Sequence, residues 1–355
     1  MKRALVLARN GLGRVAPNPM VGALVLNQQG VLVGQGYHPA YGQAHAEVFA
    51  LSQAGPRAQG GTLYVTLEPC HHHGKTPPCV DAVLASGVKR VVVAMQDPNP
   101  KVAGQSLAKL KQAGVKVDVG CMQTMAHALN APFIHGLTHS RPFVDVKVAV
   151  SQDGYMGHVQ ERLMLSTPKL EANTMKLRAQ AQAVIVGKGT WQRDRPRLHV
   201  RGRYQDRLPS AVLLDPHLEA QADMPVFQTG NPVYLLHNEG QRLPAWLQKH
   251  QQVVCLGLPY TQEGFVPDQI LSALYAKSIG HVLLEGGARL IRSFARSQLI
   301  DRWCIYRAPV TLEDSYPSQD LISLDLADFP LQAKSVIRVD TDVVFRGSPW
   351  TASLG

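Results

Sequence analysis

Three side chains that bind soft metals, with a carboxylate beside one of them, constrain this chain more than any other feature. His45-Ala46-Glu47 opens a helical pattern, and Cys70 and Cys79 follow a β-branched strand pattern, with Pro69 before them and Pro77-Pro78 between. A zinc centre that hydrolyses needs three protein ligands and an open fourth position for water. One imidazole and two thiolates meet that requirement. The pattern predicts each of the three at the start of a helix, where unpaired N–H groups and the helix dipole favour a thiolate. Glu47, two residues past the histidine, is placed to carry a proton between water and a leaving amine. A lone His-x-Glu is common on helix surfaces, and cysteines in a reduced protein are usually inert. It is their combination, in this order and in a strand-then-helix context, that carries the reading.

The rest of the chain supplies two α/β units. In the first 120 residues, Ala4 to Ala8 read as a short helical opening, and Gly22 to Leu26 and Val31 to Gly36 as strands joined by a turn at Asn27-Gln28-Gln29-Gly30. Ala44, Val48 and Leu51 recur at helical spacing up to Gly55-Pro56, Thr62 to Leu67 is strand-like, and Val80 to Leu84 is helical up to Gly87. Lys89 to Met95, Gln105 to Gln112 and Val115 to Val119 read as strand, helix and a last strand. The segment Gly136 to Pro142 breaks the pattern, so the domains are expected at residues 1–140 and 141–355. Beyond it, apolar strands recur at Phe143 to Val150, Ala183 to Val186, Ala211 to Leu214, Val233 to Leu236, Val253 to Leu256 and Val282 to Leu284. Alternating strands and helices predict an α/β fold in both halves.

Composition removes several alternatives. With 45% hydrophobic and 17% charged residues, the 355-residue chain is of the folded kind, not the disordered kind. Its apolar runs are too short or too interrupted to span a bilayer, and Met1-Lys2-Arg3 leads into a mixed segment, not a secretory signal. Five cysteines in so long a chain are no disulfide scaffold. A cytoplasmic protein with no membrane partner is expected. The formal charge of +10, mostly contributed by the first 140 residues, suits an anionic substrate.

The metal-binding residues resemble those of the cytidine deaminase superfamily. Its usual Pro-Cys-x-x-Cys is here stretched from Cys70 to Cys79, which fits nucleic-acid deaminases badly. The stretch Glu68 to Cys79 instead resembles the Glu-Pro-Cys-x-His-x-Gly-x-Thr-Pro-Pro-Cys of the bifunctional deaminase–reductases of riboflavin biosynthesis, the RibD type. Pro17-Asn18-Pro19, Met95 to Pro100 and Val102-Ala103-Gly104 are similar to that family too. The resemblance implies a phosphorylated pyrimidine as substrate, Zn2+ on His45, Cys70 and Cys79, and Glu47 as the catalytic acid/base. It also implies substrate contacts at Asn18, His72 and Lys75, an amide suiting a pyrimidine edge and a lysine a phosphate.

The second half resembles the reductase domain of the same family, which has a dihydrofolate reductase-like fold. The resemblance rests on Lys147-x-x-x-Ser151-x-Asp153-Gly154, Leu177-Arg178-Ala179, Gly187-x-x-Thr190, Asp194-x-Pro196-x-Leu198-x-x-Arg201 and Glu285-Gly286-Gly287. It implies NADPH as cofactor, held at Thr190, Asp194 and Gly287, and substrate contacts at Arg178, Leu198, Arg201 and Glu285, an arginine pair clamping the 5′-phosphate. Four positions depart from the family pattern: Arg162 and Met164 replace a serine and a tryptophan, Arg195 stands within Asp-Asp/Asn-Pro, and Pro216 replaces a serine. Two other readings stay open here: a deaminase whose second domain is silent and serves dimerisation, and a nucleic-acid deaminase using the basic charge. The leading expectation is the bifunctional enzyme, homo-oligomeric and without nucleic acid.

Overall fold

A computed structural model describes residues 1–73, 77–99, 102–161, 163–324, 331–339 and 342–349. It divides into two compact units, Met1–His139 and Ser140–Gly355. None of the described helices is long and apolar enough to cross a membrane.

The first unit begins with α1 (Lys2–Ala8) and a hairpin of β1 (Gly22–Leu26) and β2 (Leu32–Tyr37). The turn forms where the sequence places it: Asn27 Oδ1 accepts the N–H groups of Gln29 and Val31 at 3.0 and 2.9 Å, and Gly30 takes φ +78°, which a side chain would resist. There follow α2 (Ala46–Ala54), β3 (Thr62–Val65), α3 (Cys79–Ala85), β4 (Arg90–Val93), α4 (Gln105–Gln112) and β5 (Lys116–Val119). The sheet order is β2-β1-β3-β4-β5, antiparallel through β1 and parallel from β3 onward. Ala23, Val25, Leu63, Val65, Val91 and Val93 alternate along their strands and pack with Ala46, Ala50, Val80 and Val83 of the helices in one core.

Two helices then arise that the sequence pattern does not mark. These are α5 (Gln123–Leu129) and α6 (Ala131–Thr138), the second running through Gly136 into the segment expected to be irregular. Met122, Leu129 and Ile134 pack against the core of this unit. Tertiary burial thus overrides the weak helix propensity of Gly136 and Thr138.

The second unit contains β6 (Phe143–Val150), β7 (Tyr155–His158), α7 (Pro168–Gln180), β8 (Ala183–Val186), α8 (Lys188–Asp194), β9 (Ser210–Leu214), β10 (Val233–Asn238) and β11 (Val253–Leu258). It continues with the two-residue strands β12 (Tyr260–Thr261) and β13 (Gly264–Phe265), then α9 (Pro267–Tyr275), β14 (His281–Leu284), α10 (Ala288–Arg296), β15 (Arg302–Arg307), β16 (Leu321–Ser323), β17 (Leu331–Val339) and β18 (Asp342–Pro349). The main sheet has the order β11-β10-β9-β8-β14-β6-β15-β18-β17, parallel from β11 to β15 and antiparallel over its last two strands. On β8, Ala183 and Ile185 enter the core shared with α9 and α10, while Val184 and Val186 enter the one shared with Trp191 of α8. A strand buried on both faces needs an unbroken apolar run, and Ala-Val-Ile-Val is one. Thr167 caps α7 through its side chain, with Pro168 in the first turn and Arg178 in the last, as a helix of this polarity favours.

Candidate functional site

The first unit brings its three candidate ligands together. The ligand atoms of His45, Cys70 and Cys79 all lie within 4.8 Å of one another, with His45 Nδ1 at 3.1 Å from Cys79 Sγ and 3.5 Å from Cys70 Sγ. His45 is the N-cap of α2, and Cys79 is the first residue of α3. Cys70, expected at a helix start as well, lies instead in the loop after β3. It still meets a helix N-terminus, because Cys79 N–H at the head of α3 donates to Cys70 Sγ at 3.2 Å. The loop solution follows from Pro69 and Pro77-Pro78, which hold extended backbone and delay the helix to Cys79.

The electrostatics suit a soft metal cation. Hydrogen bonds from Cys79 pull the Cys70 thiol down to about 4 against its burial, with His45 assisting. The Cys79 thiol is pushed up by that same hydrogen bond and by burial. The His45 imidazole is raised chiefly by its hydrogen bond to Cys70. Glu47, only 3% exposed, is pushed up to about 7 by burial, and its Oε2 is buried without a hydrogen-bond partner. One imidazole and two sulfurs on converging backbone, beside an orphaned carboxylate oxygen, are the donor set that Zn2+ prefers, with a proton carrier next to it.

Around this centre, Asn18 Nδ2 lies 3.2 Å from Nε2 of His38, which is 2% exposed and whose ring stands edge-on to that of His45. His72 is exposed on its loop and meets His71 edge to face. Lys75 lies outside the described residues. Glu68, next to Pro69-Cys70, ties this loop to a later one. Its carboxylate accepts Asp97 N–H at 3.1 Å, Gly104 N–H at 3.0 Å and the Ser106 hydroxyl at 2.7 Å. His38 was not legible as a site residue, since a single histidine after a strand carries no motif.

In the second unit, Arg178, Thr190, Asp194, Leu198, Arg201, Glu285 and Gly287 all line one cleft of about 980 Å3. β8 and β14 lie side by side, and β14 turns through Glu285-Gly286-Gly287 into α10. A Cβ at Gly286 would come within 2.7 Å of Leu290 Cδ2, and one at Gly287 within 3.6 Å of Thr190 Oγ1. Bare backbone at a helix N-terminus is the cradle that a dinucleotide's pyrophosphate requires. Leu198 holds φ +55° and is buried, and Asp194 pairs with Arg193 at 2.9 Å.

Both arginines of the expected phosphate clamp line this cleft, and each meets a carboxylate of the chain. Arg178 donates to Glu285 at 2.7 and 2.9 Å and to His199 O at 3.1 Å, and Arg201 pairs with Glu171. A buried guanidinium needs a counter-charge, and Glu285 on the adjoining strand end supplies it. Lys147 lines the same cleft, with Nζ 5.1 Å from the Tyr306 ring centre; burial lowers its ammonium and the Glu285 charge partly opposes this. Ser151 and Asp153 of the same motif build turns instead, accepting N–H groups from Tyr155 and from Leu312 and Glu313. Of the departing positions, Met164 lines the cleft at 66% exposure, Arg195 turns to Asp223, Pro216 follows the buried Asp215 whose carboxylate caps Glu219 and Ala220, and Arg162 lies outside the described residues.

A zinc-binding cluster of deaminase type and a nucleotide-binding α/β sheet in one chain define a bifunctional deaminase and reductase. A family model for the cytidine and deoxycytidylate deaminase zinc-binding region matches residues 1–95, and one for the RibD C-terminal domain matches residues 142–345. The riboflavin biosynthesis protein RibD of Aquifex aeolicus is 40% identical over 90% of this chain and 89% of its own length, and that of Escherichia coli 36% over 97% and 96%. Acinetobacter baumannii RibD superposes with a TM-score of 0.85 at 34% identity, covering 99% of this chain and 98% of its own. A diaminohydroxyphosphoribosylaminopyrimidine deaminase/5-amino-6-(5-phosphoribosylamino)uracil reductase from Thermotoga maritima gives 0.84 at 32%, covering 99% and 97%. The chain belongs to the RibD family and serves riboflavin biosynthesis with Zn2+ and NADPH, acting on small pyrimidines.

Proposed function

We propose that residues 1–140 deaminate 2,5-diamino-6-ribosylamino-4(3H)-pyrimidinone 5′-phosphate hydrolytically, and that residues 141–355 reduce the ribosyl group of the product to ribityl. The observation that carries the first half is His45 Nδ1 between two cysteine sulfurs, with the partnerless Glu47 oxygen beside them. The Thermotoga maritima relative, named for both steps, supports the pairing of reactions.

In this reading His45, Cys70 and Cys79 hold zinc, which when bound supplies Lewis acidity toward a water. Glu47, held at about 7 by burial, takes a proton from that water as the carboxylate and, now the acid, gives it to the leaving amine. Asn18 reads the pyrimidine edge, and His72 and Lys75 meet the rest of the substrate, the lysine at the phosphate. In the second half, Thr190, Asp194 and Gly287 hold NADPH, which supplies hydride when bound. Arg178, Leu198, Arg201 and Glu285 bind the substrate, with Glu285 oriented by Arg178. The five free cysteines suit a reducing cytoplasm. Homo-oligomerisation belongs to the same reading and is read by light scattering.

A coupled assay following ammonia and NADPH separately tests it. Both signals are expected from the pyrimidine substrate, in that order. Ammonia without NADPH consumption would leave the second domain silent, and neither signal would sink the substrate assignment.

A further inference from the structure

The metal ligands and Glu47 leave open what holds the loop that carries Asn18. Met20, two residues on, is gripped by a side chain 110 positions later in the chain. Asn130 Oδ1 accepts Met20 N–H at 2.8 Å, and Asn130 Nδ2 donates to Met20 O at 3.0 Å. A carboxamide offering an acceptor and a donor to one residue's backbone does the work of two rungs of a β-ladder. Asn130 is itself 2% exposed and seated where α5 ends and α6 begins. Its own N–H donates to Ala126 O at 3.1 Å, and its carbonyl accepts Ile134 N–H at 3.0 Å. Its backbone is therefore fixed by two helices, and its amide is buried.

The short path from Met20 to Asn18 is stiff. Pro19, the one residue between them, locks its own φ and restricts the Asn18 backbone before it, so a displacement at Met20 passes to Asn18 with little to absorb it. At its other end the Asn18 amide is oriented by His38. His38 Nδ1 lies 3.1 Å from Ala44 O, which can only accept, so Nδ1 carries the hydrogen and Nε2 accepts from Asn18 Nδ2. The His38 contact sets the rotation of the amide, and the Asn130 clamp sets where the loop stands.

We propose that Asn130 is a positioning residue for deamination, clamping Met20 so that Asn18 meets the pyrimidine edge, without touching the substrate itself. The proposal rests on the reading of Asn18 as a substrate contact. Alanine at 130 would free both backbone groups of Met20. Aspartate would keep the acceptor and nearly the shape, but set a carboxylate oxygen against the Met20 carbonyl.

The test is ammonia-release kinetics with the phosphorylated pyrimidine on the full zinc-loaded chain, for Asn18→Ala, Asn130→Ala, Asn130→Asp and Asn18→Ala/Asn130→Ala. Asn130→Ala and Asn130→Asp are each expected to raise KM about tenfold, with kcat and zinc content kept. In the Asn18→Ala background, Asn130→Ala should add less than about twofold, since the loop then has nothing left to position. If Asn130→Ala does not fold, the aspartate variant decides by the same KM-against-kcat criterion. Unchanged KM in the Asn130 variants while Asn18→Ala raises it overturns the proposal and leaves the Asn18 reading standing. Full additivity in the double variant, or loss of zinc with a fall in kcat, overturns it equally. Unchanged KM in Asn18→Ala overturns the reading of Asn18 and the clamp's purpose with it.

Discussion

Arg178 grips Glu285 through two parallel hydrogen bonds, Nε to Oε1 at 2.7 Å and Nη2 to Oε2 at 2.9 Å, with both side chains largely buried. Burial alone would raise the Glu285 carboxyl, but the guanidinium beside it outweighs this and holds it below the usual carboxylate range. The reductase cleft therefore contains a fixed, ionised carboxylate, not a loose arginine. Removing one partner of such a pair costs far more than the pair itself contributes, because the other charge is left buried alone. Arg178→Met is expected to destabilise the second unit by about 3–5 kcal/mol and abolish NADPH oxidation, with ammonia release intact. Thermal unfolding and the two separate assays check this. Arg178→Lys should not restore it, since an ammonium cannot reproduce the fork.

Glu47→Gln should retain zinc and fold while slowing ammonia release by about 100-fold to 10,000-fold. The amide keeps the shape but cannot shuttle a proton. Metal analysis beside the ammonia assay separates this from His45→Ala, which is expected to lose zinc and activity together. Wild-type turnover in Glu47→Gln would remove Glu47 from the mechanism.

At the cofactor cradle, Gly286→Ala introduces a methyl into the space that Leu290 Cδ2 already borders at 2.7 Å. Leu290 or the turn must shift, and the backbone presented to the pyrophosphate shifts with it. NADPH titration by fluorescence should show affinity weakened about tenfold, with ammonia release unchanged. Equal affinity in the variant would show that the pyrophosphate is held elsewhere.

The sheet of the second unit carries a buried charge cluster with its own pH signature. Asp145 would be raised by burial, but Arg302 at 2.6 Å through each of two nitrogens, and His281 at 2.8 Å, hold it well below the usual carboxylate range. A carboxyl depressed in the folded state contributes stability that is complete above its ordinary value of 3.8 and is lost as pH falls below that. The unfolding midpoint of the wild type should therefore drop steeply below about pH 4, while Asp145→Asn starts lower and falls less. Parallel pH profiles for the two proteins would show that Asp145 contributes nothing to acid stability.

Much of the fold is legible in the residues themselves. The β1–β2 turn, α4 and the apolar strand β8 follow from local chemistry: an Asn-to-Gly turn, helical spacing and a continuous apolar run. Residues 123–138 were not legible, because their helicity depends on Met122, Leu129 and Ile134 finding the core. The ligand cluster could be read because its residue types are rare and ordered. The engagement of Arg178 by Glu285 could not, since a motif reports which residues matter near a cofactor and not which of them hold one another. Asn130 escaped for the same reason: its partner is the backbone of Met20, and backbone has no sequence signature.

The clamp on Met20 also bears on the order in which the chain becomes competent as it is made. All three candidate ligands and Glu47 have been synthesised by residue 79, and the zinc-binding region matched by its family ends at 95. Glu68 must still wait for Asp97, Gly104 and Ser106 to satisfy its carboxylate, and Met20 must wait for Asn130. A nascent chain stalled between these points would own a complete set of donors on an unsecured loop. The donor set thus precedes in the chain every residue that secures the loops around it.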